Sequence, residues 1–260
     1  MAILKNAARE RLDAGEMALG VILRQARTVD IAPVMQACGF DWLFLDLEHN
    51  SMDLDTAVQI AVAALGAGIA PIARVPAGQL WMATRFLDGG GLGIVVPHVD
   101  TPQEAQKIAQ ALRYPPLGHR SVAGGLPHFG YQKLGLAETC TGINAATLVI
   151  VMLETPTAIA NADAIAAVPG IDSLLIGTND LAMELGIPGG FGDERVVAAY
   201  QSVCDACRKH GKFAGVGGIS DDALLRRYIQ MGVRVVLPGS DLSFLQAAAT
   251  ERAATMRACL

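Results

Sequence analysis

The feature that most constrains the fold is a regular alternation of short apolar runs with segments of helical periodicity. A parallel strand buried on both faces reads as a nearly continuous apolar run, and the helix that follows it has apolar residues at three- and four-residue intervals. We predict eight such strands, at residues 17–23, 42–48, 69–75, 93–96, 147–153, 171–176, 213–216 and 233–237.

Helical segments are predicted between these strands, and several carry start or stop signals. Residues 101–104 (TPQE) form a capping box with proline at the first helical position, and Gly39 and Gly211 follow two of the helices as C-caps. Residues 114–144 interrupt the alternation, with a short helical piece at 133–139, and so long a connection is usually functional. The predicted helices span 28–38, 53–65, 80–87, 101–112, 156–168, 193–210, 220–231 and 242–258.

Eight strand–helix pairs in 260 residues are typical of the α/β fold known as the (β/α)8 TIM barrel. No change of composition marks a linker, so we predict that residues 1–260 form a single domain. A doubly wound open sheet is the structural alternative. That fold favours a glycine-rich turn after its first strand, whereas residues 24–27 here read RQAR.

Charge and hydropathy argue against several classes of partner. The chain has 20 basic and 25 acidic residues, a formal charge of −5, and its Lys and Arg residues form no stripe of the kind that nucleic acid requires. No apolar run reaches the roughly 18 residues of a membrane span, and the N-terminus lacks the apolar core of a signal peptide. We therefore expect a cytoplasmic protein that binds neither nucleic acid nor membrane.

Ionisable side chains collect where the predicted strands end. In a TIM barrel, reactive groups lie at the carboxyl ends of the strands and on the loops that follow them. Capping of the next helix is the structural alternative for each carboxylate at such a position. Read in chain order, these positions hold Asp46, Glu48 and His49, then Arg74, His98, Glu154 and Asp180, with Gly217-Gly218 and Gly239-Ser240 after the last two strands.

Glu154 and Asp180 together suggest a site for a hard cation. Two carboxylates, completed by water and a chelating substrate, suit Mg²⁺ or Mn²⁺. His49 suits either a third metal ligand or a general base, and in the second case Asp46 could orient and polarise it.

The positions of the arginines and lysines bear on whether carbanion chemistry here would use a Schiff base or a metal ion. Arg74 would place a guanidinium beside a carboxylate or enolate oxygen, although an ion pair with Asp46 or Glu48 is its structural alternative. No lysine ends a predicted strand, so no amine is well placed for a Schiff base. Carbanion chemistry in this chain would therefore need a metal ion to hold the electrons. The five lysines are Lys5, Lys107, Lys133, Lys209 and Lys212.

Seven short segments, spread almost from end to end of the chain, match a known enzyme family in combination. They are 41–49 (DWLFLDLEH), 74–76 (RVP), 85–90 (RFLDGG), 96–97 (VP), 113–121 (RYPPLGHRS), 152–155 (MLET) and 176–181 (IGTNDL). On these segments the chain resembles the HpcH/HpaI family of metal-dependent (class II) pyruvate aldolases, which belongs to the phosphoenolpyruvate/pyruvate barrel superfamily.

The resemblance implies a metal site and a binding site for a 2-oxo acid. Glu154 and Asp180 would bind the divalent metal, which would be Mg²⁺, Mn²⁺ or Co²⁺. Pyruvate would chelate this metal through its carboxylate and keto oxygens. Backbone amides of Gly177, Thr178 and Asn179 would hold the carboxylate of the substrate.

The resemblance also implies catalytic residues and an assembly. Arg74 would stabilise the enolate oxygen, and His49, paired with Asp46, would move protons through a metal-bound water. Asp88 matches a family aspartate near the site at a subunit contact. A homo-oligomer, a trimer or a hexamer, would be expected, with the C-terminal helix contributing to its contacts.

Three features depart from the better-known aldolases of this family. Position 152 is Met where those enzymes have Gln, two residues before the metal-binding glutamate. Residues 177–180 read GTND where the relatives often read GPAD, and the loop at 121–127 (SVAGGLP) also differs. The predicted metal pair and base are unaffected, whereas the polarity around pyruvate and the identity of the aldehyde stay open.

The leading functional hypothesis is a carbon–carbon lyase acting in the catabolism of aromatic or sugar acids. It would cleave a 4-hydroxy-2-oxo acid reversibly to pyruvate, or hydroxypyruvate, and an aldehyde. Decarboxylation of oxaloacetate, which passes through the same enolate, and binding of oxo acids without cleavage are alternatives. A third alternative is an isomerase or epimerase that acts on a phosphosugar. In such an enzyme, Gly217-Gly218 and Gly239-Ser240 would form a phosphate-binding cup.

Overall fold

The TIM barrel predicted from the sequence is confirmed. The computed structural model describes residues 4–259, in which eight parallel strands pair in chain order and the barrel closes where the first strand meets the last. At this closure, Ala18 pairs with Val235 and Leu19 with Val236. The strands are β1 (Ala18–Leu23), β2 (Trp42–Asp46), β3 (Ala70–Arg74), β4 (Gly93–Val96), β5 (Leu148–Leu153), β6 (Ser173–Gly177), β7 (Phe213–Gly217) and β8 (Val233–Val236).

Helices between consecutive strands cover the outside of the barrel. Their apolar faces and the outward-facing strand residues form one large hydrophobic cluster. The helices are α1 (Ala7–Asp13), α2 (Ile31–Ala37), α3 (Leu54–Ala67), α4 (Leu80–Asp88), α5 (Pro102–Leu112), α6 (Leu136–Ala146), α7 (Pro156–Ala160), α8 (Ala162–Ala166), α9 (Thr178–Glu184), α10 (Glu194–His210), α11 (Asp222–Met231) and α12 (Asp241–Arg257), with a 3-10 turn at Pro127–Phe129.

Four helical regions differ from the sequence prediction, and one of them is α9, which directly follows β6 and was not predicted. Helix α1 was not expected, because it buries only Ala8 and Leu12 and so gives little periodic signal. The single helix predicted at 156–168 is divided at Asn161 into α7 and α8. The short piece expected at 133–139 starts later and runs longer, as α6, which occupies the end of the long connection.

Alternate residues of each strand fill the interior of the barrel in layers. Along β2, Trp42 and Phe44 belong to the interior cluster, and Asp46 is the next residue on that face. Along β3, Ile72 belongs to the same cluster, and Arg74 follows it at the end of the strand. The strand period therefore places these two charged residues in the topmost layer of the interior.

The amino ends of the strands are tied to the segment before α1. Asn6 caps α1 and is buried, and its side-chain amide donates to the carbonyl of Leu92 at 3.1 Å and to that of Ala146 at 2.7 Å. These two residues precede β4 and β5. The cluster of ionisable residues lies at the opposite end of the barrel.

The last helix is unlike the others, because α12 buries none of its 17 residues. Three of its large apolar side chains, Phe244, Leu245 and Met256, are exposed. Within residues 4–259, no helix is long and apolar enough to cross a membrane. The five cysteines are free thiols, and Cys204 and Cys207 are buried in α10.

We expect Gly20→Ala to destabilise the barrel. A methyl group at Gly20 would lie 2.3 Å from the ring of Trp42, which is fully buried. Overpacking of this kind costs about 1–3 kcal/mol. The measurement is the free energy of unfolding in urea. The control is Gly66→Ala in α3, where a methyl group meets nothing within 4 Å and should stabilise the helix by roughly 0.5–1 kcal/mol. Wild-type stability in Gly20→Ala would contradict this description of the interior.

Candidate active site

A cavity of about 150 Å³ lies at the carboxyl ends of the strands. Its position agrees with the general location of active sites in TIM barrels. The ionisable residues that line it are Arg24, Asp46, His49, Arg74 and Asp180. Gly177, Thr178, Asn179, Gly217 and Gly218 form one part of the wall, and Ile22, Phe44, Met152, Leu175 and Leu237 form an apolar part.

Asp46 and Arg74 form a bidentate ion pair on neighbouring strands. Arg74 Nε donates to Asp46 Oδ1 at 2.9 Å, and Nη2 donates to Oδ2 at 2.6 Å. Asp46 Oδ1 also accepts the backbone N–H groups of Glu48 and His49. Burial raises the pKa of the Asp46 carboxyl, but the hydrogen bonds and charge of Arg74 more than offset this effect and hold the pKa below its usual range. Asp46 is therefore negatively charged at neutral pH and lines the cavity.

This pairing corrects the predicted side-chain contact between Asp46 and His49. Both oxygens of Asp46 are bound by Arg74, and Asp46 contacts His49 only through the backbone N–H. The carboxylate nearest the imidazole is Glu48, whose Oε2 lies 3.8 Å from His49 Nε2 and 3.3 Å from Arg74 Nη1. The sequence interpretation gave Glu48 only a supporting role. The geometry makes it the partner of His49, whose role as a base stays a prediction.

Glu154 lies at the end of β5 and is 2% exposed. Its Oε2 accepts the backbone N–H of His98 at 2.8 Å and lies 3.1 Å from His98 Nδ1. Burial raises the pKa of Glu154, the contacts with His98 lower it, and the negative charges of Asp180 and Glu48 raise it further, so that the net direction is upward. Carboxylates from three strand ends therefore converge on one small region.

Gly177 provides the space for the Glu154 carboxylate. A methyl group at this position would lie 2.6 Å from Glu154 Oε1. Helix α9 begins directly after Gly177 and carries Asp180 in its first turn, exposed and facing the cavity. The chain therefore passes from β6 into α9 without a connecting loop, which brings Asp180 close to Glu154.

Thr178 has a structural side chain. Its hydroxyl is buried, lies 2.7 Å from the Tyr200 hydroxyl and donates to the Gly217 carbonyl at 2.8 Å. Only the backbone of Thr178 is therefore free for the predicted contact with substrate. Asn179 packs against Gly218, whose φ is +86° and where a methyl group would lie 2.7 Å from Asn179 Nδ2.

The predicted phosphate cup is only partly assembled. Gly217 and Gly218 line the cavity. The Ser240 hydroxyl, in contrast, caps α12 by accepting the Ser243 N–H, and the Gly239 carbonyl accepts the N–H of Ile22. The second half of the cup is thus used to join β8 to the last helix, which argues against the phosphosugar alternative.

Asp88 does not reach this cavity within its own chain. It is the last residue of α4, whose C-terminal end precedes the amino end of β4 and so lies at the far rim of the barrel. There Asp88 accepts a 2.6 Å hydrogen bond from Arg120, whose guanidinium stacks on Tyr114. A catalytic role for Asp88 stays a prediction and would require a second subunit.

Two residues near the site were not assigned by the sequence interpretation. His98 was noted only as a residue after β4, yet it contacts Glu154 and has an unusual φ of +55°. Arg24 was noted only because its turn lacks glycine, yet it lines the cavity. Its position directly after β1 is the signal that could have identified it, since strand ends are where site residues collect.

A family model described as HpcH/HpaI aldolase/citrate lyase matches residues 21–248. The chain belongs to this family. The prediction made from the seven sequence segments is thereby confirmed, together with its assignment to aldolases, which are carbon–carbon lyases.

Relatives and a solved structure are similar over nearly the whole chain. A 4-hydroxy-4-methyl-2-oxoglutarate aldolase of Hapsidospora irregularis is 35% identical, covering 96% of this chain and 94% of its own length. A 5-keto-4-deoxy-D-glucarate aldolase of Klebsiella pneumoniae is 33% identical, with 95% coverage of both. The crystal structure of an HpcH/HpaI aldolase from Desulfitobacterium hafniense superposes with a TM-score of 0.90 at 26% identity, covering 96% of each chain.

Replacing Arg74 with Met should destabilise the protein in a pH-dependent way. Removing one partner of a buried pair leaves an uncompensated charge and costs about 3–5 kcal/mol. In wild type the low pKa of Asp46 stabilises the fold above the unfolded-state pKa, and this contribution is lost as the pH falls through the folded-state pKa. In Arg74→Met the guanidinium that lowers the pKa of Asp46 is gone, and burial, opposed only by the backbone N–H groups of Glu48 and His49, acts to raise it. The deficit should therefore be largest at pH 8 and shrink towards pH 5, as measured by urea unfolding in EDTA.

The double variant Asp46→Asn/Arg74→Met is the matched control. It removes both charges of the pair, so it should recover part of the stability lost at pH 8. A deficit that is independent of pH, or a double variant less stable than Arg74→Met, would show that the pair is not the source of the effect.

Proposed function

We propose that this protein catalyses reversible aldol cleavage of a 4-hydroxy-2-oxo acid to pyruvate, or hydroxypyruvate, and a second carbonyl compound. The observation that carries the proposal is that Asp180 and Arg74 line one small cavity, while Glu154 packs against Gly177 of its wall, within reach of the charge of Asp180. The names of the two relatives, a 4-hydroxy-4-methyl-2-oxoglutarate aldolase and a 5-keto-4-deoxy-D-glucarate aldolase, support this class of substrate. Within residues 4–259 no lysine lines the cavity, and the chemistry proposed here is that of a metal-dependent aldolase.

The residues present fit a divalent metal. Glu154 is buried beside the negative charges of Asp180 and Glu48, and such a group of carboxylates is stabilised by a bound cation. Glu48 Oε2 is also buried and accepts no hydrogen bond from the part of the chain that the structure describes. Carboxylate oxygens favour Mg²⁺, Mn²⁺ or Co²⁺ over softer metals.

Glu154 and Asp180 would be the protein ligands of this metal. No group of three or more His, Cys, Asp and Glu side chains in residues 4–259 is arranged to hold a metal ion. Two protein ligands would leave positions for water and for a chelating 2-oxo acid. When bound, the metal would supply a Lewis acid that polarises the keto oxygen.

Arg74 would stabilise negative charge on the substrate. Two of its nitrogens are held by Asp46, while Nη1 lies only beside Glu48 at 3.3 Å and retains donor capacity. A guanidinium fixed before substrate binds needs no reorganisation when negative charge develops on the C2 oxygen. Arg74 would therefore donate to this oxygen as the enolate forms.

His49 would act as the base. In cleavage it would take the proton of the C4 hydroxyl as the C3–C4 bond breaks, so that C4 becomes a carbonyl carbon. The electron pair of the broken bond becomes the enolate of pyruvate, and return of a proton to C3 completes the methyl group. The imidazole is more than half exposed, lines the cavity and lies near Glu48, which would orient it.

The backbone of Gly177, Thr178 and Asn179 would bind the carboxylate of the 2-oxo acid. These residues line the cavity at the start of α9, where backbone N–H groups lack partners within the helix. They are also adjacent to Asp180, so the carboxylate and the metal would lie side by side.

We further propose that the protein is a homo-oligomer, a trimer or a hexamer, assembled in part through α12. This helix buries no residue in its own chain and exposes Phe244, Leu245 and Met256. Exposed apolar side chains on an otherwise unpacked helix mark an interaction surface. Because Asp88 lies far from the cavity of its own chain, it could contribute only to the cavity of a neighbouring subunit.

Two conservative substitutions test the metal site. In Glu154→Gln and Asp180→Asn, we expect the dissociation constant for Mn²⁺ to rise roughly tenfold or more, because each change removes a charged ligand. The rate at which the methyl protons of pyruvate exchange in D₂O, followed by NMR, should fall as the affinity for Mn²⁺ falls. EDTA should abolish this exchange in wild type, and Mg²⁺, Mn²⁺ or Co²⁺ should restore it.

The matched control is Glu184→Gln, which removes an exposed carboxylate from the other end of α9. It should leave Mn²⁺ binding and exchange unchanged. Normal Mn²⁺ affinity in Glu154→Gln and Asp180→Asn, or covalent trapping of substrate on a lysine by borohydride, would refute the assignment. Parallel assays with carbonyl acceptors and with oxaloacetate distinguish aldol addition from decarboxylation.

A further inference from the structure

Arg24 is a cation in the cavity that the proposed reaction does not use. It follows β1 directly, is exposed and lines the cavity together with Asp46, His49 and Arg74. Among residues 4–259 its guanidinium forms no ion pair. Its one side-chain contact there is a 3.4 Å hydrogen bond from Nη2 to the backbone carbonyl of His49. Nearly all of its donor capacity is therefore available to a ligand.

The backbone that carries Arg24 is held firmly in place. Asp241, at the start of α12, accepts the N–H of Arg24 at 2.8 Å, that of Gln25 at 2.9 Å and that of Ala26 at 2.8 Å. Three charge-assisted hydrogen bonds to consecutive residues restrict the turn after β1. The base of the Arg24 side chain is thus positioned before substrate binds, while the guanidinium itself is unrestrained.

Of the two arginines that line the cavity, Arg24 is the one without an ion pair among the residues that the structure describes. Arg74 is held by Asp46, and the start of α9 lies beside Asp180. Around Arg24 the lining includes the apolar side chains of Ile22 and Leu237. An isolated guanidinium beside apolar surface binds carboxylates well, because its planar fork matches their two oxygens.

We propose that Arg24 is a specificity-determining residue that binds a carboxylate on the carbonyl product, at the end of the substrate remote from its 2-oxo group. This inference rests on the aldol function proposed above. The cavity, at about 150 Å³, is below the roughly 300–1,000 Å³ of pockets for drug-sized ligands, so both ends of a short diacid would lie near its walls. One carboxylate would lie at α9 and the other at Arg24.

The test compares acceptors that differ in charge at similar size. With pyruvate as donor and Mn²⁺ present, kcat/KM is measured for glyoxylate against glycolaldehyde and for succinic semialdehyde against butanal. Wild type should prefer the acid in at least one pair by tenfold or more, the factor that a hydrogen-bonded charge pair supplies. Arg24→Gln should lose this preference, and Arg24→Lys should keep part of it because the charge remains.

Arg27→Gln is the matched control. Arg27 is on the same turn, outside the cavity lining, and donates to the backbone carbonyls of Arg24 and Ala26. Arg27→Gln should retain the preference for acids. An equal loss in Arg27→Gln would mean that the shape of the turn decides specificity, and that result would overturn the role of Arg24.

Exchange of the pyruvate methyl protons by wild type separates the two proposals. Exchange without any preference for acidic acceptors, or a preference that survives in Arg24→Gln, would overturn the role of Arg24 and leave the aldol function standing. Absence of exchange in the presence of Mn²⁺ would overturn both.

Discussion

The buried ion pair between Asp46 and Arg74 is the interaction on which the site depends. The two residues are direct partners in the register of β2 and β3, and both face the barrel interior in its topmost layer. Burying two charges is expensive and is compensated only when their hydrogen bonds are well formed, as they are here. Asp46 also accepts the N–H groups of Glu48 and His49, so the same carboxylate shapes the turn that presents the proposed base.

Around this pair the cavity has regions of different charge. Asp180 lines the cavity, and its charge and that of Glu48 act on the neighbouring Glu154, so negative charge is concentrated where a divalent cation with a bound oxo acid would fit. Arg24 lies where the turn after β1 is tied to α12 by Asp241. In our proposals the negative side binds and activates the 2-oxo acid, and Arg24 selects its partner. Met152 contributes to the apolar part of the cavity wall.

The sequence predicted the barrel and its strand ends because both follow from local patterns. Strand period alone places Asp46 and Arg74 on the inward face, and chain order places Glu154 and Asp180 at the same end of the barrel. Pairing between side chains was less accessible, since Asp46 was assigned to His49 by nearness in the chain, while its ion pair with Arg74 was named only as an alternative. The loop-free passage from Gly177 into α9, and the anchoring of Arg24 by a residue more than 200 positions away, are tertiary features that no local pattern shows.

The central claim is that Glu154 and Asp180 hold a divalent metal at the carboxyl ends of the strands. Its most direct test is anomalous diffraction from crystals grown with Mn²⁺ and oxalate, a stable mimic of the pyruvate enolate. The account predicts one strong manganese peak coordinated by both carboxylates, with oxalate bound to the metal and facing Arg74. A peak elsewhere, or no peak at this site in an enzyme that is active with Mn²⁺, would contradict it.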